Sequence, residues 1–122
     1  MRVFGATREE LFVNAAAALW EAVGVRKKEE GRRKKVRIEA ESVEDLLHDW
    51  LAELLFELSA HGVIYDEVQS SKFKAQSFEA TLRGGAADWS EARAEVKAVT
   101  YHQLRVEQRA DGSWTATVIF DV

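Results

Sequence analysis

The chain has 122 residues, no cysteine and a net charge of −4. The missing cysteine excludes disulfides, thiolate metal sites and a cysteine nucleophile, and the negative charge gives no general case for nucleic-acid binding. A hydrophobic content of 47% indicates one folded domain over residues 1–122, and without a membrane-spanning run or a signal peptide we expect a cytoplasmic protein with no membrane association.

The first predicted elements are a short strand and a helix. Residues 2–4 look like the tail of a strand, so we expect the chain to begin partway through an element. Thr7 is a helix N-cap, and Glu10 three residues later completes a capping box. The helix is predicted to run to about Val23, with Gly24 as its C-terminal cap. One apolar face follows from helical spacing: Leu11, Phe12, Ala15, Ala16, Leu19, Trp20 and Val23.

Residues 26–35 form the one strongly charged run, Arg-Lys-Lys-Glu-Glu-Gly-Arg-Arg-Lys-Lys. Clustered basic side chains displace counterions from a phosphate backbone, so one interpretation is an RNA contact. The other is a solvated loop between helix and strand, which is the usual fate of a charge run. Two glutamates interrupt the run and no aromatic side chain offers a stacking surface, so the solvated loop is favoured.

A strand over residues 35–40 is predicted to lead into a second helix, capped by Ser42 with Asp45 at the capping-box position and ending at His61-Gly62. This helix is expected to fill most of the core, because seven large apolar residues share one face: Leu46, Leu47, Trp50, Leu51, Leu54, Leu55 and Leu58. The polar side chains on or beside its other face, His48, Asp49 and Glu53, lack zinc-motif spacing and are interpreted as solvated helix surface.

The rest of the chain is rich in strand patterns. Successive strands are predicted over Val63–Tyr65 with Val68, Phe73–Leu82, Ala92–Val106 and Trp114–Val122, and Gly84-Gly85 is predicted to separate the second of these from the third. Two helices with a run of antiparallel strands indicate an α+β fold, in which both helices pack on one face of a mostly antiparallel sheet.

The last two strands form the strongest local signal. Asp111-Gly112 between two alternating runs predicts a hairpin with a type I′ turn. The carboxylate of Asp121 and the terminal carboxylate of Val122 would then lie together on an ordered strand, with Lys97 as a companion. Oxygen ligands suit calcium, magnesium or manganese, although two carboxylates make an incomplete site. An ordinary strand end is the equal alternative.

No enzyme site is visible in the sequence. It has no glycine-rich phosphate loop, no serine elbow and no paired-histidine motif. The three histidines, His48, His61 and His102, are scattered and are interpreted as structural or exposed. We therefore expect a protein without catalytic residues.

Four segments resemble the archease family. The segment Lys97-Ala98-Val99-Thr100-Tyr101-His102, with Leu104 and Val106, resembles its signature strand, and Trp114–Val122 resembles its C-terminus. Residues 7–16 look like its first helix, and residues 42–55 look like its second. The resemblance spans nearly the whole chain in the right order.

The resemblance implies a protein cofactor. Archeases assist the RtcB-type RNA ligase of tRNA splicing and RNA repair, which guanylates its own histidine with GTP and a divalent metal. They promote guanylation and multiple turnover, and touch RNA only indirectly. By the same pattern Asp121 and the terminal carboxylate of Val122 would be ligands of a divalent metal, foremost calcium, with manganese or magnesium as alternatives. Lys97 would act in ligase activation or partner contact.

One departure from the family lies at the N-terminus. Archeases open with a strand bearing His-Thr-Ala-Asp, whose aspartate is a metal ligand, and Met1 lies downstream of that position. We therefore expect either a late start codon or a shortened member, and in both cases a chain that lacks one ligand and one full edge of the sheet. An exposed edge can pair with another chain, so a monomer or a strand-swapped dimer is expected.

The rival hypothesis is a non-catalytic RNA- or protein-binding α+β module that uses residues 26–35 and no metal. Charge reversal in that run separates the two hypotheses. It would abolish binding under the rival and barely affect ligase stimulation under the archease interpretation.

Overall fold

The computed structural model describes residues 1–93 and 95–122. Over these residues, seven strands form two antiparallel sheets, and two helices pack against the sheets. In chain order the elements are β1 (Arg2–Gly5), α1 (Arg8–Val23), β2 (Arg26–Lys27), β3 (Arg32–Glu39), α2 (Val43–His61), β4 (Val63–Lys74), β5 (Ser77–Asp88), β6 (Ala98–Gln108) and β7 (Trp114–Asp121). The first sheet has the order β1-β7-β6. In the second, β5 pairs with β2, β3 and β4. The predicted α+β class is confirmed.

Both helices begin and end where the sequence predicts. The hydroxyl oxygen of Thr7 accepts from the backbone N–H of Glu10 at 3.1 Å, and that of Ser42 accepts from the N–H of Asp45 at 3.1 Å. At the other ends, Gly24 and Gly62 adopt left-handed φ angles of 75° and 66°. Such C-caps satisfy carbonyl groups that the helix leaves open, which fixes both helix boundaries locally.

The helices bury their apolar faces against both sheets. Helix α1 contacts β1, β7 and β4, whereas α2 contacts β6, β3, β4 and β5. At the centre, the Phe78 ring lies 4.8 Å from that of Phe12 and 5.0 Å from that of Trp50, between ring centroids. The indole N–H of Trp50 donates to the carbonyl of Phe12 at 2.9 Å, so the largest core side chain leaves no unpaired donor. Neither helix has an apolar run long enough to cross a membrane, in the residues described.

Two strand predictions around β5 are wrong. The strand predicted over Phe73–Leu82 is divided by a turn at Ala75 and Gln76, where Ala75 has a φ of 55°. Gly84-Gly85, predicted as a break, lies inside β5. A Cβ on Gly84 would lie 1.9 Å from the carbonyl oxygen of Ile64 in β4, and one on Gly85 would lie 1.3 Å from that of Glu29. These glycines allow close backbone approach and do not end the strand.

Three further predictions need correction. The charged run is a solvated loop only over residues 28–31, which are exposed, because residues 26–27 and 32–35 are strand residues paired with β5. The strand predicted from Ala92 begins at Ala98, and Ala94 lies outside the described residues. The hairpin is confirmed, but its turn is not type I′, since Gly112 has a φ of 89° and Asp111 has no positive φ. The Gly112 N–H donates to the carbonyl of Arg109 at 2.9 Å, as in longer hairpin loops.

Candidate functional site at the end of the C-terminal hairpin

The hairpin brings the backbones of the predicted site residues Lys97 and Asp121 next to each other. Ala98 is the register partner of Asp121, and the backbone N–H of Lys97 donates to the carbonyl of Asp121 at 2.7 Å. Both side chains are exposed, and Val122 follows at 72% exposure. We call Lys97, Asp121 and Val122 the hairpin tip. It presents an ammonium group and two carboxylates to solvent from an ordered pair of strands.

The tip is separated from the rest of the hairpin by an interruption in β6. Pairing runs from Ala98↔Asp121 to Thr100↔Ile119 and resumes at Arg105↔Thr117. Residues 101–104 therefore stand opposite Val118 alone, and Gln103 has a φ of 55°. An irregularity of this kind bends and twists a strand. The direction of the tip consequently depends on contacts outside the β6–β7 ladder.

His48 of helix α2 supplies such a contact. Its Nε2 lies 2.9 Å from the carbonyl oxygen of Val99, and its Nδ1 lies 2.9 Å from a carboxylate oxygen of Asp49. Its ring stacks on Tyr101 with centroids 4.0 Å apart and planes 14° apart. Because a carbonyl oxygen can only accept, Nε2 is the donor in the contact with Val99. His48 therefore ties the first residues of β6 to α2.

The interpretation of His48, Asp49 and Glu53 as solvated helix surface is wrong for two of the three. The His48 side chain is only 17% exposed because β6 covers it, and Glu53 is 30% exposed because it pairs with Lys34 of β3 at 2.7 Å. Asp49 remains 45% exposed. Strands from distant parts of the chain cover this helix face, and helical spacing alone gives no sign of them.

Tyr101 also responds to this packing. Tyr101 is 56% exposed, but partial desolvation raises the pKa of its hydroxyl, and the negative charges of Asp49 and Asp45 raise it further. The phenol accordingly stays neutral at physiological pH. Together with His48, it is a residue near the tip that sequence reasoning missed. The only signal in the sequence was the pair Tyr101-His102 in the strand that resembles the family signature. Strand alternation gave no reason to place Tyr101 against α2.

A shallow groove lies beside Lys97. Its volume is about 500 Å³, and Trp89, half exposed, forms part of its wall. The other lining residues are mostly apolar: Val23, Leu55, Leu58, Ser59, Glu95 and Val96. The charged hairpin tip thus lies next to a mostly apolar groove, which can accommodate an apolar side chain of another molecule.

The tip supplies the right kind of metal ligand in small number. Carboxylate oxygens suit hard divalent cations, and calcium takes six to eight oxygens. Over residues 1–93 and 95–122, no group of three His, Asp or Glu side chains is placed to hold a metal ion. A cation bound at Asp121 and the carboxylate of Val122 would therefore need further oxygen ligands from water or from another molecule.

A separate ionic cluster lies between β3 and α2. Lys34 Nζ contacts carboxylate oxygens of both Glu53 and Glu57, and His61 Nδ1 lies 2.9 Å from Glu57. The Glu57 side chain is 9% exposed. Burial raises the pKa of Glu57, but hydrogen bonds from Lys34 and His61 outweigh burial and hold it below the ordinary value of 4.5. This cluster joins sheet to helix and explains His61 as structural, whereas His102 is exposed.

The whole chain is similar to one family of known proteins. Residues 1–122 match the model of the Archease protein family. The protein archease of Methanopyrus kandleri is 36% identical over 132 residues, which cover 99% of this chain and 90% of that protein. The protein archease of Thermococcus gammatolerans is 34% identical over 128 residues, which cover 100% of this chain and 90% of that protein.

Solved structures give the same result. The crystal structure of a Thermotoga maritima protein, described as an archease and possible chaperone, aligns with a TM-score of 0.72 at 25% identity and covers 100% of this chain and 88% of that chain. The solution structure of protein 1598 of Methanobacterium thermoautotrophicum aligns with a TM-score of 0.70 at 30% identity, covering 99% of this chain and 89% of that chain.

Proposed function

The chain belongs to the archease family, and from this premise we propose that it is a protein cofactor, not an enzyme, that activates an RtcB-type RNA ligase. The proposed role is to promote guanylation of the ligase and its multiple turnover in tRNA splicing or RNA repair. The observation that supports this role most is the match over residues 1–122, which includes the exposed Lys97–Asp121 pair at the end of the last two strands.

The hairpin tip is the proposed working part. Because Lys97 and Asp121 are exposed on paired strands, they can enter a cleft of the ligase without first becoming ordered, which reduces the entropic cost of binding. Lys97 would contact a phosphate or an acidic group of the ligase. The half-exposed Trp89 beside it offers the kind of aromatic contact that dominates many protein interfaces.

We also propose that Asp121 and the terminal carboxylate of Val122 hold a divalent cation, foremost calcium, with manganese or magnesium as alternatives. Their oxygen chemistry fits such a cation, and water or the ligase would complete the ligand set. When bound, a divalent cation supplies positive charge next to phosphate oxygens. The tip would reach RNA only through the ligase. The protein would act in the cytoplasm, as a monomer or as a dimer that swaps the edge strand β1.

The proposal is tested by measuring guanylation of an RtcB-type ligase with substoichiometric amounts of this protein, over a range of manganese concentrations. The wild type should raise the rate, and Asp121→Ala should remove the stimulation. Because Asp121 is exposed at a strand end, its loss should change the free energy of unfolding by no more than about 0.5 kcal/mol.

The matched control is Glu107→Ala, which removes another exposed carboxylate from β6 of the same hairpin. It should stimulate like the wild type. An Asp121→Ala protein that retains full stimulation would contradict the role of the tip, and a wild-type protein without any effect on the ligase would contradict the proposed function itself.

A further inference from the structure

Strand β3 sends its basic side chains to two different sides of the four-stranded sheet. Lys34, Val36 and Ile38 face the helices, since Val36 is buried and Lys34 contacts α2. By alternation Arg33, Lys35 and Arg37 face away from the helices, and all three are exposed. Part of the charged run thus forms one row on an open sheet face.

Neighbouring strands extend this row into a patch. The register places nine outward-facing side chains in three lines across β3, β5 and β4: Arg33–Arg83–Glu67, Lys35–Thr81–Ser70 and Arg37–Glu79–Lys72. We call these nine residues the basic face. The middle and last lines border a shallow hollow of about 380 Å³. Five of the nine are cations and two are carboxylates, so the face is positive although the chain has a net charge of −4.

The arrangement is unfavourable for folding alone. Arg33 lies directly opposite Arg83, and like charges in that position destabilise a sheet. Arg33 donates to the amide oxygen of Gln69 at 3.1 Å, and Lys35 has no ion-pair partner among the described residues. The pair between Arg83 and Glu67 is 3.9 Å long and exposed, so it offsets little of the repulsion. A bound polyanion would neutralise the repulsion between Arg33 and Arg83.

We propose that the basic face binds the phosphate backbone of a single RNA strand. Side chains two residues apart on one strand are about 6.6 Å apart, which is comparable to the separation of successive phosphates along a nucleic-acid strand. The spacing of Arg33, Lys35 and Arg37 therefore matches consecutive phosphates, with Arg37 exchanging its exposed 2.7 Å ion pair with Glu39 for a phosphate. The hydroxyls of Ser70 and Thr81 lie beside Lys35 and are suited to a ribose 2′-hydroxyl, which both donates and accepts hydrogen bonds.

Binding should depend little on RNA sequence. None of the nine side chains is aromatic, so bases have nothing to stack on, and contacts to phosphate carry no sequence information. This surface is distinct from the hairpin tip, which reaches RNA only through the ligase in the proposed function. It differs also from residues 26–35 taken as a whole, because Lys34 points inward and Arg26 pairs with Glu91.

The test is fluorescence anisotropy of a labelled 20-nucleotide single-stranded RNA with the full chain, at several salt concentrations and without ligase. The variant Arg33→Gln/Lys35→Gln/Arg37→Gln, which removes the three cations assigned to phosphates, should weaken binding at least about tenfold. Because single strands lose about 0.7 in salt slope per phosphate contact, the slope of log K against log salt should fall by about 2.

A matched variant, Arg26→Gln/Arg93→Gln/Arg105→Gln, removes three exposed, ion-paired arginines elsewhere and should bind within twofold of the wild type. Tighter binding of the RNA than of a DNA strand of the same sequence would support the role of the hydroxyls. Equal loss in both triple variants, a wild type that binds no RNA, or equal affinity for RNA and DNA would overturn the proposal as stated. The assay contains no ligase, so its outcome is independent of ligase activation.

Discussion

Lys34 and Lys35 are neighbours in strand β3, yet the fold gives them opposite roles. Lys34 faces α2, is 30% exposed and contacts Glu53 and Glu57. Lys35 faces solvent on the basic face and has no ion-pair partner in the described chain. The side of the strand on which a lysine lies, and not its residue type, therefore decides whether it stabilises the protein or is available to a ligand.

The inward cluster is stable because each charge is matched. Burial lowers the pKa of Lys34, but its contacts with Glu53 and Glu57 outweigh burial and hold the pKa above the ordinary value of 10.5. Removing the ammonium would leave the nearly buried Glu57 carboxylate with His61 alone. No comparable group depends on Lys35.

The largest expected effect tests this difference directly. Lys34→Met should lower the free energy of unfolding by about 2 to 4 kcal/mol, because it removes one partner from a poorly solvated ion pair. Lys35→Met is the matched control and should change stability by less than about 0.5 kcal/mol. Urea denaturation at neutral pH measures both. Equal effects of the two substitutions would show that the inward contacts contribute no net stability.

The second prediction concerns the loss of folding stability at acidic pH. The pKa of Glu57 is lower in the folded protein than its ordinary value of 4.5, so its stabilising effect is complete above that value and is lost as pH falls through the folded pKa. Between about pH 5 and pH 3, the wild type and Lys35→Met should lose stability in parallel. The difference between the wild type and Lys34→Met should narrow over this range. If the difference in stability stays constant down to pH 3, the ionised carboxylate of Glu57 does not account for the stabilising effect of Lys34.

The smallest effect is expected at the edge of the cluster. His61 is 57% exposed and contacts Glu57 from the last turn of α2, so His61→Ala should cost only about 0.5 kcal/mol. Combined with Lys34→Met it should cost more than the sum of the two single effects, because Glu57 then loses both cations. Thermal and urea unfolding of the two single variants and the double variant measure this coupling. If the effects of the two single substitutions on stability add strictly, Lys34 and His61 do not stabilise Glu57 jointly.

The helices and the last hairpin could be predicted from sequence because their signals are local. Thr7, Ser42 and Gly62 act on residues within one turn of the helix, and the Asp111-Gly112 turn sets which residues of β6 and β7 face each other. That register holds only as far as Arg105↔Thr117. The irregularity at residues 101–104, which brings Ala98 opposite Asp121, is not visible in the sequence. The metal, ligase and partner roles of the tip remain predictions.

Other features depend on residues far away in sequence. Gly84 looks like a strand breaker until the backbone of Ile64 is placed against it. From the sequence, His48 is expected to face solvent, but in the fold β6 packs against it and the Val99 carbonyl accepts its hydrogen bond. The turn at Ala75 contains neither glycine nor proline, so alternation runs through it without a visible stop. The errors at Gly84 and His48 arose where tertiary contact overrides local preference, and the error at Ala75 arose because the turn has no local signal.

The interruption in β6 also affects how this chain would tolerate an insertion or a deletion. In a regular ladder, a gain or loss of one residue turns every following side chain to the opposite face. Here residues 101–104 already stand opposite Val118 alone, and His48 holds the strand at Val99. A residue gained or lost in this segment is absorbed as a change of bulge length. A change of length at this point would leave the Ala98↔Asp121 register unchanged, and with it the backbone contact between Lys97 and Asp121.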